Sequence, residues 1–216
     1  MNKEKEKMCG MKSLFSIIVY VCSNVIFSQV FSFFYERKDG MAWNRICTFL
    51  AVSIVLYVLG RGREAIQKGN KQNVPDWKKT SVWVIFSVAL ALGLNILFWK
   101  LGFLSLDSGY QEASQSLYRV SIPMGIILYG IAAPLAEEML FRGILFQDFK
   151  TYLKPVYAAA ASAIIFGLYH GNVVQAVYGF CMGFVFAYAY EDTESFLTPL
   201  LMHGIVNIVV FCVSSH

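Results

Sequence analysis

Charged residues are scarce in this sequence, and their scarcity excludes an ordinary soluble domain. Asp, Glu, Lys and Arg make up 15% of the 216 residues, whereas hydrophobic residues make up 57%. The mean hydropathy is +0.54, and the apolar residues occur in long blocks. Both features are typical of a polytopic membrane protein. The net charge of +4 does not indicate a nucleic-acid partner, because most Lys and Arg residues lie between the apolar blocks.

Several sequence signatures are also absent. The five cysteines form no CxxC motif and no disulfide-like spacing, so we interpret them as small apolar packing residues. There is no HExxH motif, which removes the usual sequence argument for a zinc protease. We find no linker, low-complexity tract, internal repeat or second domain. The sequence therefore predicts a single membrane domain over residues 1–216.

The apolar blocks predict an all-α polytopic bundle of about seven transmembrane helices. A helix needs about 20 residues to cross a bilayer core of ~30 Å, so the short fifth segment needs shielding by its neighbours or a thinner bilayer. The Gly171-Asn172 junction predicts a tight helical hairpin. The first apolar run is long for a cleaved signal peptide and lacks a clear cleavage site, so we expect a retained span. The predicted spans are 13–35, 43–60, 82–104, 122–146, 156–170, 173–190 and 197–213.

The positive charges between the spans predict an orientation. Lys and Arg are most frequent in the N-terminal segment and in the loops after the second and fourth spans. These three segments share one side of the membrane, which the positive-inside rule places in the cytoplasm. We therefore predict a multi-pass protein of the cell membrane with a cytoplasmic N-terminus and an external C-terminus. The opposite side carries fewer basic residues, namely Arg37, Lys38, Arg45 and Arg119.

Three charged residues lie within the fourth predicted span: Glu137, Glu138 and Arg142. A charge near the bilayer centre costs at least ~2.5–3.5 kcal/mol, so unpaired charges there are rare and usually functional. Glu138 and Arg142 are four residues apart and can pair on one face of a helix. Glu137 is rotated by about 100° and stays available for chemistry. Pro134 lacks an N–H group and is expected to kink the helix before Glu137, which frees the carbonyl of Gly130.

Polar residues in later spans supply candidate partners for Glu137. His170 ends the fifth span, and His203 and Asn207 lie four residues apart in the seventh. Counted at about 1.5 Å per residue, all four groups lie near the middle of the membrane, so we predict that they converge. A carboxylate and a neutral histidine can deprotonate water, while a histidine and an amide can donate hydrogen bonds to an oxyanion. These are the groups that amide hydrolysis by a glutamate-activated water requires.

Three other interpretations fit the same residues. Glu137, His170 and His203 could bind Zn²⁺ or another divalent ion and leave a position open for water. Buried Glu and His also form relays in proton- or ion-coupled transporters, although we find neither internal repeats nor paired broken helices. The third interpretation is structural: an inert ion pair, with histidines that only pack or lie at the membrane interface. No serine or cysteine lies where it would act as a nucleophile beside these histidines.

Three motifs carry a resemblance to a known family. They are Glu137-Glu138-x-x-x-Arg142, Phe166-x-x-x-His170 and His203-x-x-x-Asn207, in this order and each in an apolar helix. In this arrangement the sequence resembles the CPBP intramembrane proteases. This is the Abi group, with CAAX prenyl endopeptidases and bacteriocin-processing or self-immunity proteins. The resemblance covers residues 120–213, which we take as the catalytic core, whereas the first three spans carry no motif.

The resemblance implies an intramembrane endopeptidase that acts on a peptide precursor or a membrane-anchored substrate, with or without a prenyl group. The family is often described as metal-dependent, but a metal-free glutamate mechanism is also proposed. We favour the metal-free mechanism, because hydrogen bonding alone gives every polar group a role. By the same resemblance Glu137 activates water with His170, His203 and Asn207 stabilise the oxyanion, and Glu138 and Arg142 orient the site.

The main alternative to an enzyme is a non-catalytic immunity or scaffold protein that uses the same fold. In both cases the expected partners are the lipid bilayer and a peptide or protein in or at the membrane. The two hypotheses differ in whether Glu137 is needed for its carboxylate or only for its place in the structure.

Overall fold

The computed structural model describes residues 3–36, 39–59, 75–118 and 120–214, which are 88% helical and contain no strand. Five helices are long and apolar enough to cross a membrane, and two shorter apolar helices accompany them. Each predicted apolar segment coincides with one of these helices. The all-α fold is therefore confirmed, and the protein is a multi-pass membrane helical bundle. In chain order the helices are α1 (Lys3–Val30, extended by a 3₁₀ turn over Phe31–Phe34), α2 (Gly40–Val58), α3 (Trp77–Lys100), α4 (Phe103–Leu106), α5 (Ser108–Tyr118), α6 (Ile122–Phe149), α7 (Pro155–Tyr169), α8 (Val173–Thr193) and α9 (Leu197–Ser214).

The orientation in the membrane stays a prediction. Most of the basic loop after α2, residues 60–74, lies outside the described residues, as do Arg37, Lys38 and Arg119. Arg45 does not belong to a loop, because it lies inside α2.

Helix α3 begins and ends earlier than its hydropathy predicts. Asp76 caps the helix, because its carboxylate accepts hydrogen bonds from the N–H groups of Lys78 and Lys79 at 3.1 and 3.2 Å. Such a cap satisfies N–H groups that have no partner within the helix. Two lysines therefore join the first turn rather than the preceding loop. At the other end, Gly102 is left-handed (φ +67°) and terminates the helix after Lys100.

Glycines allow the C-terminal helices to approach closely. A Cβ on Gly204 of α9 would lie 2.4 Å from the carbonyl oxygen of Gly130 in α6. A Cβ on Gly167 of α7 would lie 2.4 Å from the carbonyl oxygen of Ala176 in α8. Only hydrogen fits at these two crossings, which is how small residues bring membrane helices together. The turn between α7 and α8 is tight, as predicted, with Gly171 at φ +76°.

Helix α6 is the most buried of the long helices and carries both glutamates through the centre of the bundle. It continues past Pro134, with π-helical turns over Leu128–Ala132 and Met139–Phe146. The N–H of Ala133 accordingly donates to the carbonyl five residues back, that of Leu128. The first π turn lies directly before Pro134, and the kink expected there stays a prediction. Such turns are frequent at functional sites, and here they flank the two glutamates.

Candidate active site

Glu138 is completely buried and binds two basic side chains. Its Oε1 lies 2.8 Å from Nη1 of Arg142 and 2.7 Å from Nδ1 of His203. The first contact is the i, i+4 ion pair that the sequence predicts, and the second joins α6 to α9. A buried carboxylate needs such partners, since an unpaired charge in an apolar interior is very costly. Glu138 therefore binds and positions the side chains of Arg142 and His203.

Arg142 is completely buried among aromatic rings from two other helices. Its guanidinium carbon lies 4.3 Å from the ring centre of Phe166 in α7 and 5.2 Å from that of Phe186 in α8. The electron-rich ring faces attract the cation. Gly183 leaves room for it, because a Cβ there would lie 3.1 Å from Nη2. Three helices are thus packed around one charged group.

Glu137 faces away from this ion pair, as its rotation on the helix predicts. Its Oε2 lies 3.7 Å from Nε2 of His203, which is beyond hydrogen-bond distance. His203 therefore stands between the two glutamates, with Nδ1 on Glu138 and Nε2 toward Glu137. The residue is 7% exposed and lines a cavity. Of the two carboxylates, Glu137 is the one that a substrate can reach.

His170 and Asn207 are held in place by main-chain carbonyl groups. Nδ1 of His170 lies 2.9 Å from the carbonyl oxygen of Phe166. A carbonyl oxygen only accepts, so Nδ1 carries the proton and Nε2 keeps its lone pair. Nδ2 of Asn207 donates to the carbonyl of Tyr129 at 3.1 Å, which leaves its second N–H available. Both residues line the same cavity as Glu137.

A cavity of about 670 Å³ brings together Glu137, His170, His203 and Asn207. Its wall is formed by the ends of α1 and α3, by the beginnings of α2, α6 and α8, and by α9. The cavity therefore occupies one end of the bundle, opposite to the end at which α1 begins. Its volume is in the range of pockets that hold small ligands. The four residues predicted to converge do line one space.

Two tyrosines beside the site carry no signal in the sequence. Tyr20 of α1 is completely buried, and its hydroxyl lies 3.3 Å from that of Tyr169. The two tyrosine rings pack with centres 5.7 Å apart, and the ring of Tyr169 packs against His170 with centres 5.5 Å apart. A tyrosine within an apolar run is usually a packing or interfacial residue. Only the position of α1 in the bundle shows that Tyr20 supports the site.

The donor groups do not form a ready metal site. Within the described ranges, no three His, Cys, Asp or Glu side chains are grouped as metal ligands require. Each of the two histidines would bind a metal through Nε2, because Nδ1 contacts the carbonyl of Phe166 in His170 and the carboxylate of Glu138 in His203. Zn²⁺ takes at least three protein ligands at about 2 Å, and the set Glu137, His170 and His203 does not meet that geometry.

Comparison with known proteins shows which family this part of the chain resembles. Residues 119–209 match the family model described as Type II CAAX prenyl endopeptidase Rce1-like. Over 98 residues the chain is 31% identical to the membrane-embedded CAAX protease MroQ of Staphylococcus aureus (strain USA300), covering 42% of this chain and 40% of MroQ. No solved structure matches the chain.

Two further relatives are more distant in sequence but match over longer stretches. Over 170 residues the chain is 25% identical to a protein named as membrane peptidase YdiL of Bacillus subtilis (strain 168), covering 76% of this chain and 68% of YdiL. Over 144 residues it is 25% identical to the UPF0177 protein YxdF of Lactococcus lactis, covering 64% of this chain and 80% of YxdF. The matches confirm the resemblance seen in the three motifs: residues 119–209 of the chain are similar to the Rce1-like CAAX prenyl endopeptidases.

Proposed function

We propose that this protein is an intramembrane endopeptidase that hydrolyses a peptide bond in a peptide precursor or a membrane-anchored protein, with or without a prenyl group. One observation carries the proposal. Of two adjacent glutamates in α6, Glu138 is neutralised by Arg142, while Glu137 faces a cavity lined also by two histidines and an asparagine. The similarity to CAAX proteases supports the same activity.

Glu137 acts as the general base in the proposed reaction. Its carboxylate takes a proton from a water molecule while the water oxygen attacks the carbonyl carbon of the scissile peptide bond. The tetrahedral intermediate then collapses, the C–N bond breaks, and Glu137 gives the proton to the leaving nitrogen. Nε2 of His170 accepts a hydrogen bond from the same water, because its Nδ1–H is directed to the Phe166 carbonyl.

His203 and Asn207 form the proposed oxyanion site. Nδ1–H of His203 is donated to Glu138, so in the proposed reaction Nε2, on the side toward Glu137, is the atom that donates a hydrogen bond to the oxyanion. Asn207 offers the N–H that Tyr129 does not use. Donors fixed in advance stabilise the charge that develops in the transition state. Glu138 and Arg142 act as positioning residues, because they touch His203 and each other rather than the reacting atoms.

The test is a comparison of wild type, Glu137→Gln and Glu191→Gln at matched membrane abundance. Glu191 is the control carboxylate, since it pairs with Lys150 at the end of the bundle away from the cavity. Peptidomics of the expressing cells and their medium measures the products. We expect mature peptide termini that appear with wild type and Glu191→Gln and disappear with Glu137→Gln, because an amide cannot accept the proton of water.

Glu137→Gln that retains full cleavage would refute the general base. A protective or assembly phenotype that survives Glu137→Gln, with no change in the peptidome, would favour the non-catalytic immunity or scaffold protein instead.

A further inference from the structure

The helices α4 and α5 form a strap, residues 103–118, between the end of α3 and the start of α6. Tyr110 and Ser114 of α5 share one helix face, because they are four residues apart, and both line the active-site cavity. The residues exposed on the other faces of α5 are Gln111, Glu112 and Gln115. Since α5 has 11 residues and a spanning helix needs about 20, the strap covers the cavity at the end of the bundle rather than crossing the membrane.

The two helices of the strap are joined to each other and begin after a glycine. Nε2 of Gln111 in α5 donates to the carbonyl of Ser105 in α4 at 3.0 Å. Gly102, directly before the strap, has a φ of +67°, a conformation that glycine adopts without strain. Hinges are residues at the ends of elements that absorb changes in φ and ψ, so Gly102 can act as the hinge of the strap.

The other end of the strap leads to a fixed point. The backbone N–H and the hydroxyl of Ser121 donate to the two carboxylate oxygens of Asp39 at 2.9 and 2.8 Å. Asp39 lies directly before α2, so these bonds tie the start of α6 to the start of α2. A movement of the strap therefore leaves α6, and Glu137 within it, in place.

Asp107 fastens the strap to α8. Its Oδ2 accepts the backbone N–H of Val174 at 3.1 Å, and its Oδ1 accepts that of Tyr110 in α5, also at 3.1 Å. The first N–H groups of a helix have no partner within the helix, and the Val174 contact satisfies one of them. Gly109 meets the same part of α8, since its Cβ would lie 3.3 Å from Cβ of Asn172. We call the contact between Asp107 and Val174 the latch.

A peptide that reaches Glu137 has to pass either the strap or the spaces between the spanning helices. A peptide backbone within hydrocarbon needs a partner for each of its polar groups, and lipid tails supply none. The strap offers a polar route, because the outer faces of α5 carry amide and carboxylate side chains. The end of the bundle at the strap is therefore the favoured way for an extended peptide into the cavity.

We propose that the strap is a gate for the peptide part of the substrate. With the latch closed, α5 covers the cavity and keeps a polypeptide away from Glu137. When the bond between Asp107 and Val174 opens, the strap swings about Gly102 and the peptide enters from the water at this end of the bundle. The role of the substrate in this inference rests on the proposed endopeptidase activity, whereas the opening of the strap does not.

An engineered disulfide tests whether the strap must move. Gly109→Cys combined with Asn172→Cys places the two Cβ atoms near the spacing of about 3.5–4.5 Å that a disulfide requires. The purified full-length double variant is assayed oxidised and again after reduction, with synthetic peptides of mixed sequence and mass spectrometry of the products. The controls are each single variant and wild type under the same oxidant. We expect oxidation to abolish Glu137-dependent cleavage in the double variant alone, and reduction to restore it.

A second measurement follows the opening of the strap without catalysis. Ala133→Cys places a thiol in the cavity one turn before Glu137, and a maleimide carried on polyethylene glycol is too large to reach it while the strap is closed. The labelling rate of this thiol is compared with and without Asp107→Ala. Glu112→Ala is the matched control, because it removes an exposed carboxylate of α5 outside the cavity.

We expect Asp107→Ala to raise the labelling rate by about tenfold or more, the effect of losing a hydrogen bond to a charged group. Glu112→Ala should leave the rate unchanged, and the oxidised disulfide should abolish labelling of the Ala133→Cys thiol.

Two results overturn the gate while leaving the endopeptidase intact. One is a fully oxidised double variant that cleaves peptides as fast as its reduced form, which entry between the spanning helices would produce. The other is a labelling rate that neither the disulfide nor Asp107→Ala changes. A wild type without any Glu137-dependent cleavage overturns the proposed function instead, and the labelling rates then decide the gate by themselves.

Discussion

Replacing Arg142 by alanine tests whether the buried ion pair holds the bundle together. Arg142 is completely buried, its Nη1 lies 2.8 Å from Glu138, and its guanidinium stacks on Phe166. Arg142→Ala leaves the Glu138 carboxylate with His203 as its remaining partner. Breaking a buried pair from one side typically costs about 3–5 kcal/mol, because the other charge stays in a low dielectric.

The expected loss is large enough to measure by thermal unfolding in detergent. For a chain of this size each kcal/mol shifts Tm by about 2–4 °C, so Arg142→Ala should lower Tm by about 6–20 °C. The control is Lys79→Ala, which removes the ion pair between Lys79 and Asp192. Nζ of Lys79 lies 3.3 Å from Oδ1 of Asp192, but the two side chains are 50% and 39% exposed. An exposed pair contributes about 0–1 kcal/mol, so this variant should stay within a few degrees of wild type.

A double variant separates the charge from the packing. Glu138→Gln combined with Arg142→Met removes both charges at similar volume, so we expect it to be more stable than Arg142→Ala. The reasoning fails if Arg142→Ala unfolds at the temperature of wild type, or if the double variant is the least stable of the three.

Two further predictions concern the packing and the loops. Gly183→Ala should lower the free energy of unfolding by about 1–3 kcal/mol, because its Cβ would lie 2.9 Å from the Phe166 ring. Gly93→Ala is the control and should be neutral or slightly stabilising, because nothing lies within 4 Å of its Cβ. Equal changes in unfolding free energy for the two variants would contradict the close approach at Gly183. The backbone N–H of Val174 lowers the pKa of the Asp107 carboxyl below its ordinary value of 3.8. The contact therefore stabilises the folded protein fully above pH 3.8, and this stabilisation is lost as the pH falls through the lowered pKa. The protection factor of the Val174 amide in hydrogen exchange should therefore fall on acidification in wild type. In Asp107→Ala it should already be low at neutral pH, and a protection factor that neither change alters would contradict this contact.

The fourth predicted span shows how much of the site follows from local geometry. Four residues separate Glu138 from Arg142, and this spacing places them on one helix face, so their pairing could be predicted without a tertiary structure. The same geometry turns Glu137 away from the pair. Hydropathy likewise located the helices, because a membrane-spanning helix must be apolar throughout. Asp76 and Gly102 set the ends of α3 a few residues earlier than hydropathy predicts, since helix ends are decided by individual residues.

The contacts between helices were decided only by the tertiary structure. His203 lies between two glutamates because Gly204 and Gly130 let α9 approach α6 to a distance that no larger residue permits. Tyr20 supports the site because of how α1 packs, whereas in the sequence it is one more residue of an apolar run. Arg45 faces the cavity because of how α2 packs, whereas the sequence assigns it to a loop. Helical periodicity fixes which residues share a face of one helix, but the direction of that face depends on the neighbours it packs against.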